Sequence, residues 1–284
     1  MPFKEQLKEK LKEKIKEDEL ELLPSGFQRI GDIIILNLKK GLIIYKSEIG
    51  KAVSNIFPNI KTICNRTGEI TGEFREPQIE VIYGDKNTET IVIENGCKYK
   101  FDAGKIMFAK GNLNERVRIA SLVKKGEIVV DIFSGIGYFT LNIGRSGKAK
   151  KVYSIEKNPV SFKYLQENLK LNHTPNVEAI NGDCREEVDK LVSLGVKADR
   201  VVMGYLPPPF EFLPWVFKIV KKKGVIHYEA LVDVRKKDEE AEKIMKEIDE
   251  KAGKAGKKVK LISVNRVKDY APHVEHVVLD VKVG

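Results

Sequence analysis

An aspartate that ends a β-branched run, followed within six residues by two glycines, makes a place where main chain can wrap a small ligand. The stretch Val129-Val130-Asp131-Ile132-Phe133-Ser134-Gly135-Ile136-Gly137-Tyr138-Phe139 has this form. Glycine lets the backbone approach closely, and the carboxyl ends of strands line the ligand crevice of open α/β sheets. A Gly-x-Gly alone also suits any tight strand-to-helix turn. Asp131 adds a carboxylate able to accept from an ammonium group. The third glycine of the dinucleotide fingerprint is absent, with Thr140 standing three after Gly137, which argues against NAD. Glu156 ends the next apolar run, where an acid can take both hydroxyls of a ribose. Asn158-Pro159 and a helical stretch follow it in register. A third run ends at Asn181-Gly182-Asp183-Cys184. Asp183 either accepts from an adenine amino group, with the Cys184 N–H donating to the ring, or caps the next helix; both readings fit.

The elements that must position these residues follow from the pattern of the chain. After about residue 105 apolar runs alternate with helical stretches. The strands expected are 128–133, 151–155, 177–181, 200–203, 224–228, 259–264 and 276–281, and the helices 140–144, 159–171, 185–194, 211–222 and 236–252. Such alternation builds a doubly wound, mostly parallel sheet. Only the turn at Ala271-Pro272 separates the last two strands, so they pair antiparallel at the sheet edge. The first hundred residues differ. Leu7, Leu11 and Ile15, spaced by four, predict an amphipathic helix over 3–20, and short β-rich runs follow. Asn95-Gly96 between two β-prone runs predicts a hairpin. The expected domains are therefore an α+β domain over 1–105 and an α/β domain over 106–284.

The 284 residues are 42% hydrophobic and 32% charged, enough apolar mass for one large domain or two modest ones. No apolar run approaches the ~18–20 residues of a membrane span, and the N-terminus shows no signal-peptide pattern. Membrane, secreted and fibrous classes are set aside. Three widely spaced cysteines without Cys-x-x-Cys exclude a disulfide framework and a cysteine zinc site, and a reducing cytoplasm is expected. The net charge of +10 favours a polyanionic partner, although mixed charge of this kind also serves solubility and surface ion pairs.

Taken in order and spacing, Asp131, Phe133, Gly135, Gly137, Glu156, Asp183 and Cys184 resemble the AdoMet site of class I AdoMet-dependent methyltransferases. The resemblance implies that Rossmann-like fold over roughly 105–284. Three flanking segments narrow it: Phe108-Ala109-Lys110-Gly111-Asn112-Leu113-Asn114-Glu115-Arg116, Asp199 to Pro207, and Val267 to Pro272 with His273 and His276. Together they resemble the archaeal and eukaryotic tRNA-modifying family acting on the purine 3′ of the anticodon. One branch methylates N1 of the guanosine there. The other, in wybutosine synthesis, moves the 3-amino-3-carboxypropyl arm of AdoMet onto the tricyclic base 4-demethylwyosine and releases 5′-methylthioadenosine. Methyl-transferring relatives carry Asn-Leu-Pro or Asn-Pro-Pro after the fourth strand, whereas this chain has Met203-Gly204-Tyr205-Leu206, similar to the arm-transferring branch. Glycine offers no group to a target base. Ala109 stands where relatives often carry serine, so that hydroxyl contact is missing.

The resemblance implies cofactor contacts from Phe108, Ala109, Arg116 and Met203 in addition to the residues above. Arg116 is expected to grip the methionine carboxylate, or else to be a surface arginine. Glu115 orients Arg116, meets the base or caps its helix. Tyr205 stacks on the base or packs at the strand end. Lys110, Arg266, Lys268, Tyr270 and His273 mix charge with stackable rings and are the expected tRNA contacts. His273 and His276 lack an acidic or cysteine partner that would complete a zinc set, so no metal is expected. Neither a membrane nor an obligate protein partner is expected. The guanosine N1-methyltransferase and a non-catalytic RNA-binding protein on a degenerate nucleotide fold are the alternatives.

Overall fold

The computed structural model describes residues 1–284, the side chain of Lys110 excepted. The chain forms two compact units, one of 1–93 with 99–108 and one of 94–98 with 109–284. In the first, β1 (Gln28–Ile30), β2 (Ile33–Leu36), β3 (Thr62–Arg66) and β4 (Ile79–Gly84) form a sheet in that order. The expected N-terminal helix is interrupted: α1 covers Phe3–Leu11 and α2 covers Glu17–Leu20. Leu7, Leu11 and Ile15 nonetheless reach one buried cluster with Ile34, Ile49 and Val53, the last two from α3 (Lys46–Ile56). The hairpin is β5 (Glu89–Glu94) and β6 (Cys97–Asp102), with Asn95 and Gly96 at φ 51° and 74°, the positive values such a turn requires. Its tip is held within the second unit, where the Lys98 N–H donates to Asn172 Oδ1 (2.8 Å) and Asn172 Nδ2 donates to the Lys98 carbonyl (2.7 Å).

The second unit is a seven-stranded sheet of β7 (Ile128–Asp131), β8 (Lys151–Glu156), β9 (Val177–Asn181), β10 (Ala198–Met203), β11 (Val220–Asp233), β12 (Val259–Ala271) and β13 (Val274–Val283). Its order is β12-β13-β11-β10-β7-β8-β9, parallel except for β13, which runs antiparallel to β11 and β12. The expected edge pair is present, with β12 outermost. The helices are α4 (Leu113–Leu122), α5 (Thr140–Arg145), α6 (Pro159–Leu171), α7 (Cys184–Ser193), α8 (Leu213–Ile219) and α9 (Lys237–Lys254). The helix expected over 211–222 is shorter than read. Its backbone turns extended at Val220, and residues from there onward join a 14-residue strand. Among the described residues no helix is long and apolar enough to cross a membrane.

The two faces of this sheet differ. One buries Val201, Met203, Ile226, Tyr228, Val277 and Leu279 with α7, α8 and α9 in an apolar core. The other packs Val129, Val152 and Val202 against Ile119, Phe139 and Ile143 of the α4–α5 side, but turns polar toward β11 and β13.

Candidate active site

β7 delivers Asp131 to the carboxyl edge with its side chain fully buried. Thr140 Oγ1 donates to Asp131 Oδ2 (2.8 Å) and lies 2.7 Å from Ser154 Oγ. Thr140, absent from the sequence reading except as a missing glycine, is thus the hydroxyl that anchors the carboxylate. Burial pushes the Asp131 carboxyl up to about 7, against the pull of Thr140 and the Phe133 N–H. The turn beyond it holds Gly135 at φ 56° and Gly137 at φ 101°, left-handed values that favour glycine. A Cβ on Gly135 would stand 2.7 Å from the Tyr138 ring.

Glu156, at the end of β8, ties this turn to the next element. Its Oε2 accepts from the Gly135 N–H and its Oε1 from the Asn158 N–H, both at 2.7 Å. Burial pushes its pKa above the ordinary carboxylate range. A carboxylate has about four acceptor positions, so room remains for ribose hydroxyls. Asn158 caps α6 by accepting from the Val160 N–H.

Asp183 takes the capping alternative. Its Oδ1 accepts from the Arg185 N–H (3.0 Å), and its two oxygens receive the Arg185 guanidinium at 2.8 and 2.6 Å. These bonds hold its carboxyl well below the usual range. Cys184 is the first residue of α7 and is buried, its thiol pushed up to about 12 by that burial.

Met203 ends β10, fully buried. At Gly204 an added Cβ would lie 2.6 Å from the Phe139 ring, so the glycine is required for packing as well as for what it omits. Tyr205 lies against Phe133, with ring centroids 5.2 Å apart, and Phe133 meets Phe212 edge-on at 5.0 Å. Three aromatic rings therefore gather at the carboxyl ends of β7 and β10. Phe212 was missed by sequence reading because it comes from the connection before α8.

The expectations for α4 need correction. Arg116 is no surface arginine, being only 1% exposed. Its guanidinium bonds Glu94 (2.6 Å) and the Ala109 carbonyl (2.8 Å) and sits 4.8 Å from the Tyr138 ring centre. Two of its donors are used within the chain, which makes it a clamp on Glu94 and Ala109. Glu115 does not orient Arg116. Neighbouring helical residues point apart, whereas i and i+3 share a face, and Glu115 pairs with Arg118 at 2.6 and 2.7 Å. Burial raises its pKa despite Arg118. Arg118 continues to Asp280 (2.6 Å), Asp280 to His227 (2.6 Å), His227 to Arg200 (3.2 Å) and Arg200 to Glu127 (2.6 Å). Phe108 belongs to the first unit, where it stacks on Phe101 at 4.7 Å.

Among the expected RNA contacts, Arg266 is paired with Glu275 (2.5 Å) and Asp269 (2.6 Å), so its charge is largely met internally. The stem of Lys268 lies against Gly111. Tyr270, half exposed, and His273, at φ 62° in the β12–β13 turn, border a surface cavity of about 360 Å³. The Lys110 side chain lies outside the described residues. Among the described residues no group of His, Cys, Asp and Glu could hold a metal ion.

Residues 90–262 match the model of the TRM5/TYW2 methyltransferase domain, and residues 7–88 that of the TYW2 N-terminal domain. The chain belongs to the TRM5/TYW2 family. Within it, the chain is 44% identical over 261 residues to the tRNA(Phe) (4-demethylwyosine(37)-C(7)) aminocarboxypropyltransferase of Methanocaldococcus jannaschii, covering 90% of this chain and 97% of that protein. It is 34% identical over 265 residues to the tRNA (guanine(37)-N(1))-methyltransferase Trm5b of Pyrococcus abyssi, covering 92% and 76%. The crystal structure of Pyrococcus horikoshii TYW2 in complex with MeSAdo superposes with a TM-score of 0.82 at 35% identity, covering 99% of both chains. The complex of aTrm5 and tRNALeu gives a TM-score of 0.77 at 29% identity, covering all of this chain and 80% of that one. The fold and family implied by the sequence motifs are those found.

Proposed function

We propose that this chain transfers the 3-amino-3-carboxypropyl group of AdoMet to the 4-demethylwyosine base at position 37 of tRNA(Phe), releasing 5′-methylthioadenosine. The carrying observation is the 44% identity, over 97% of its length, to a relative named for that reaction. Gly204 supports it. The asparagine of methyl-transferring relatives has no space there while the Phe139 ring stays in place.

The residues at the edge fit AdoMet. A positive-φ glycine turn, a ribose-type acid at the end of β8 and a buried acid at the end of β7 match a nucleoside with a cationic tail. When bound, AdoMet supplies an electrophilic γ-carbon and a sulfur that leaves as a neutral thioether. Glu156 orients the ribose while holding Gly135. Asp131, fixed by Thr140, places a carboxylate under the glycine turn at the cationic, sulfonium side of the nucleoside. The Cys184 N–H marks the adenine side, and Asp183 supports it by capping α7. Met203 floors the site. Phe133, Tyr205 and Phe212 offer ring faces to the incoming base, and holding that base in line with the acceptor carbon supplies much of the rate. Arg116 keeps Ala109 in place, and Glu115 braces α4 through Arg118. Tyr270 and His273, with Lys268, form the RNA-facing set, with the anticodon loop as the ligand. The N-terminal domain expected over 1–105 positions the tRNA. The setting is cytoplasmic.

AdoMet labelled in the carboxyl carbon or in the methyl group, incubated with tRNA carrying 4-demethylwyosine, tests this. Carboxyl label is expected in RNA, with methylthioadenosine released. Label entering only from the methyl group, with S-adenosylhomocysteine released, assigns methyl transfer instead.

A further inference from the structure

The sheet face that carries Asp131 continues across β10, β11 and β13 as a polar layer, and strand register fixes its members. Asp131 lies beside Val202, Val202 beside His227, and His227 beside Asp280. Alternation puts Glu229, two residues after His227, on the same face and nearer the carboxyl edge. Tyr228 pairs with Met203, the last residue of β10, so Glu229 is the first residue of β11 to pass the end of that strand. His276 pairs with Leu231, the next residue of β11 on this face.

Most charges in the layer are matched through the chain from Glu115 to Glu127. Glu229 is not part of that chain. It is 4% exposed, and its Oε1 has no hydrogen-bond partner. Its Oε2 lies 3.2 Å from Nε2 of His276, a fully buried ring neither of whose nitrogens makes a hydrogen bond. Asn112 Oδ1, just before α4, is likewise buried without a partner. Buried polar atoms are seldom left in this state, and an ordered water, an ion or a bound polar group completes them. The charge balance gives the sign of that molecule. Even without Asp131, the carboxylates of Glu115, Asp280, Glu127 and Glu229 outnumber the guanidiniums of Arg118 and Arg200 in this layer. A cation entering beside Glu229 corrects both deficits.

We infer that Glu229 receives the α-ammonium group of the AdoMet amino-acid arm, with His276 as the positioning residue behind its second oxygen. The inference rests on AdoMet being the co-substrate. It also bears on which carbon reacts. Asp131 lies on β7, whereas Glu229 lies two strands across, beyond the end of β10 where Gly204 and Tyr205 follow. A grip from β11 draws the arm toward Tyr205, the direction arm transfer requires.

The test is calorimetric binding to the full chain of S-adenosylhomocysteine, of its analogue with hydrogen in place of the amino group, and of methylthioadenosine. The wild type is expected to prefer the amine by roughly tenfold to a hundredfold, the range of a charged hydrogen bond. Glu229→Gln should lose most of that preference while binding methylthioadenosine as the wild type does. An unchanged preference, or an equal loss for all three ligands, overturns the inference. If Glu229→Gln does not fold, Glu229→Asp, which keeps the charge but shortens its reach, must also lose the preference, and retention overturns it. A wild type that binds none of the three removes the AdoMet reading itself, a separate failure.

Discussion

Replacing Asp131 by asparagine should stabilise the protein in a pH-dependent way. The carboxyl is fully buried and pushed up to about 7, so ionising it costs the folded state. An acid whose folded value is raised destabilises wherever the unfolded chain would ionise it. The cost is absent below its unfolded value of about 4, grows as pH rises to about 7, and is constant above that. At ~1.4 kcal/mol per unit the full cost is roughly 4 kcal/mol above neutrality, against about 1.5 kcal/mol at pH 5. Asparagine keeps an oxygen for Thr140 Oγ1 and removes the charge. Asp131→Asn without ligand should therefore gain about 2.5 kcal/mol more over the wild type at pH 8 than at pH 5. That is a difference of roughly 5–10 °C in the gain in Tm. Differential scanning calorimetry at the two pH values measures it, and equal shifts at both would refute the assignment of Asp131 as a buried, strained carboxylate. Raising the pH should also strengthen AdoMet binding by the wild type through this range, because the positively charged nucleoside meets an additional ionised carboxylate at its turn, and Asp131→Asn should abolish that trend.

Two further substitutions test the neighbouring elements. Gly204→Ala must displace the Phe139 ring, which a Cβ would approach to 2.6 Å, and should cost about 1–3 kcal/mol in urea unfolding; shortening the ring with Phe139→Leu in the same chain should recover part of it. Arg116→Ala strands the buried Glu94 and should cost about 3–5 kcal/mol in the same assay, while any loss of affinity should be similar for S-adenosylhomocysteine and methylthioadenosine. A loss confined to the carboxylate-bearing ligand would return Arg116 to the substrate.

The parts of the fold legible in the sequence are those written in adjacent residues. The glycine turn, the acids ending β7 and β8, the Asn-Gly hairpin and the closing antiparallel pair all announce themselves within ten residues or so. Even the Asp183 cap was one of two readings the local pattern allowed. Glu115 and Arg118 also stand at helical spacing, so their pairing had a local signal, in competition with the adjacent Arg116. Arg118–Asp280 and His227–Asp280 had none, because sheet order brings together residues 162 and 53 apart in sequence. The same is true of Arg116 and Glu94, which meet because the hairpin tip is built into the second unit.

Glu229 and His276 did leave a trace, and it shows how such residues can be found. Each is an ionisable residue inside an apolar strand, in Val225-Ile226-His227-Tyr228-Glu229-Ala230-Leu231 and in His276-Val277-Val278-Leu279. In a doubly wound sheet both faces are covered, so such a side chain must be paired, ligated or held against a partner from the next layer. For His227 and Asp280 the partner is another member of the layer. Their carboxylate–imidazole contact, with Arg118 added, overcomes the burial of Asp280 and holds its carboxyl well below the usual range. For Glu229 the described residues provide the edge of a histidine. The difference between these two neighbouring acids, on one face and two residues apart in register, separates a charge used to build the sheet from a charge kept for something that binds it.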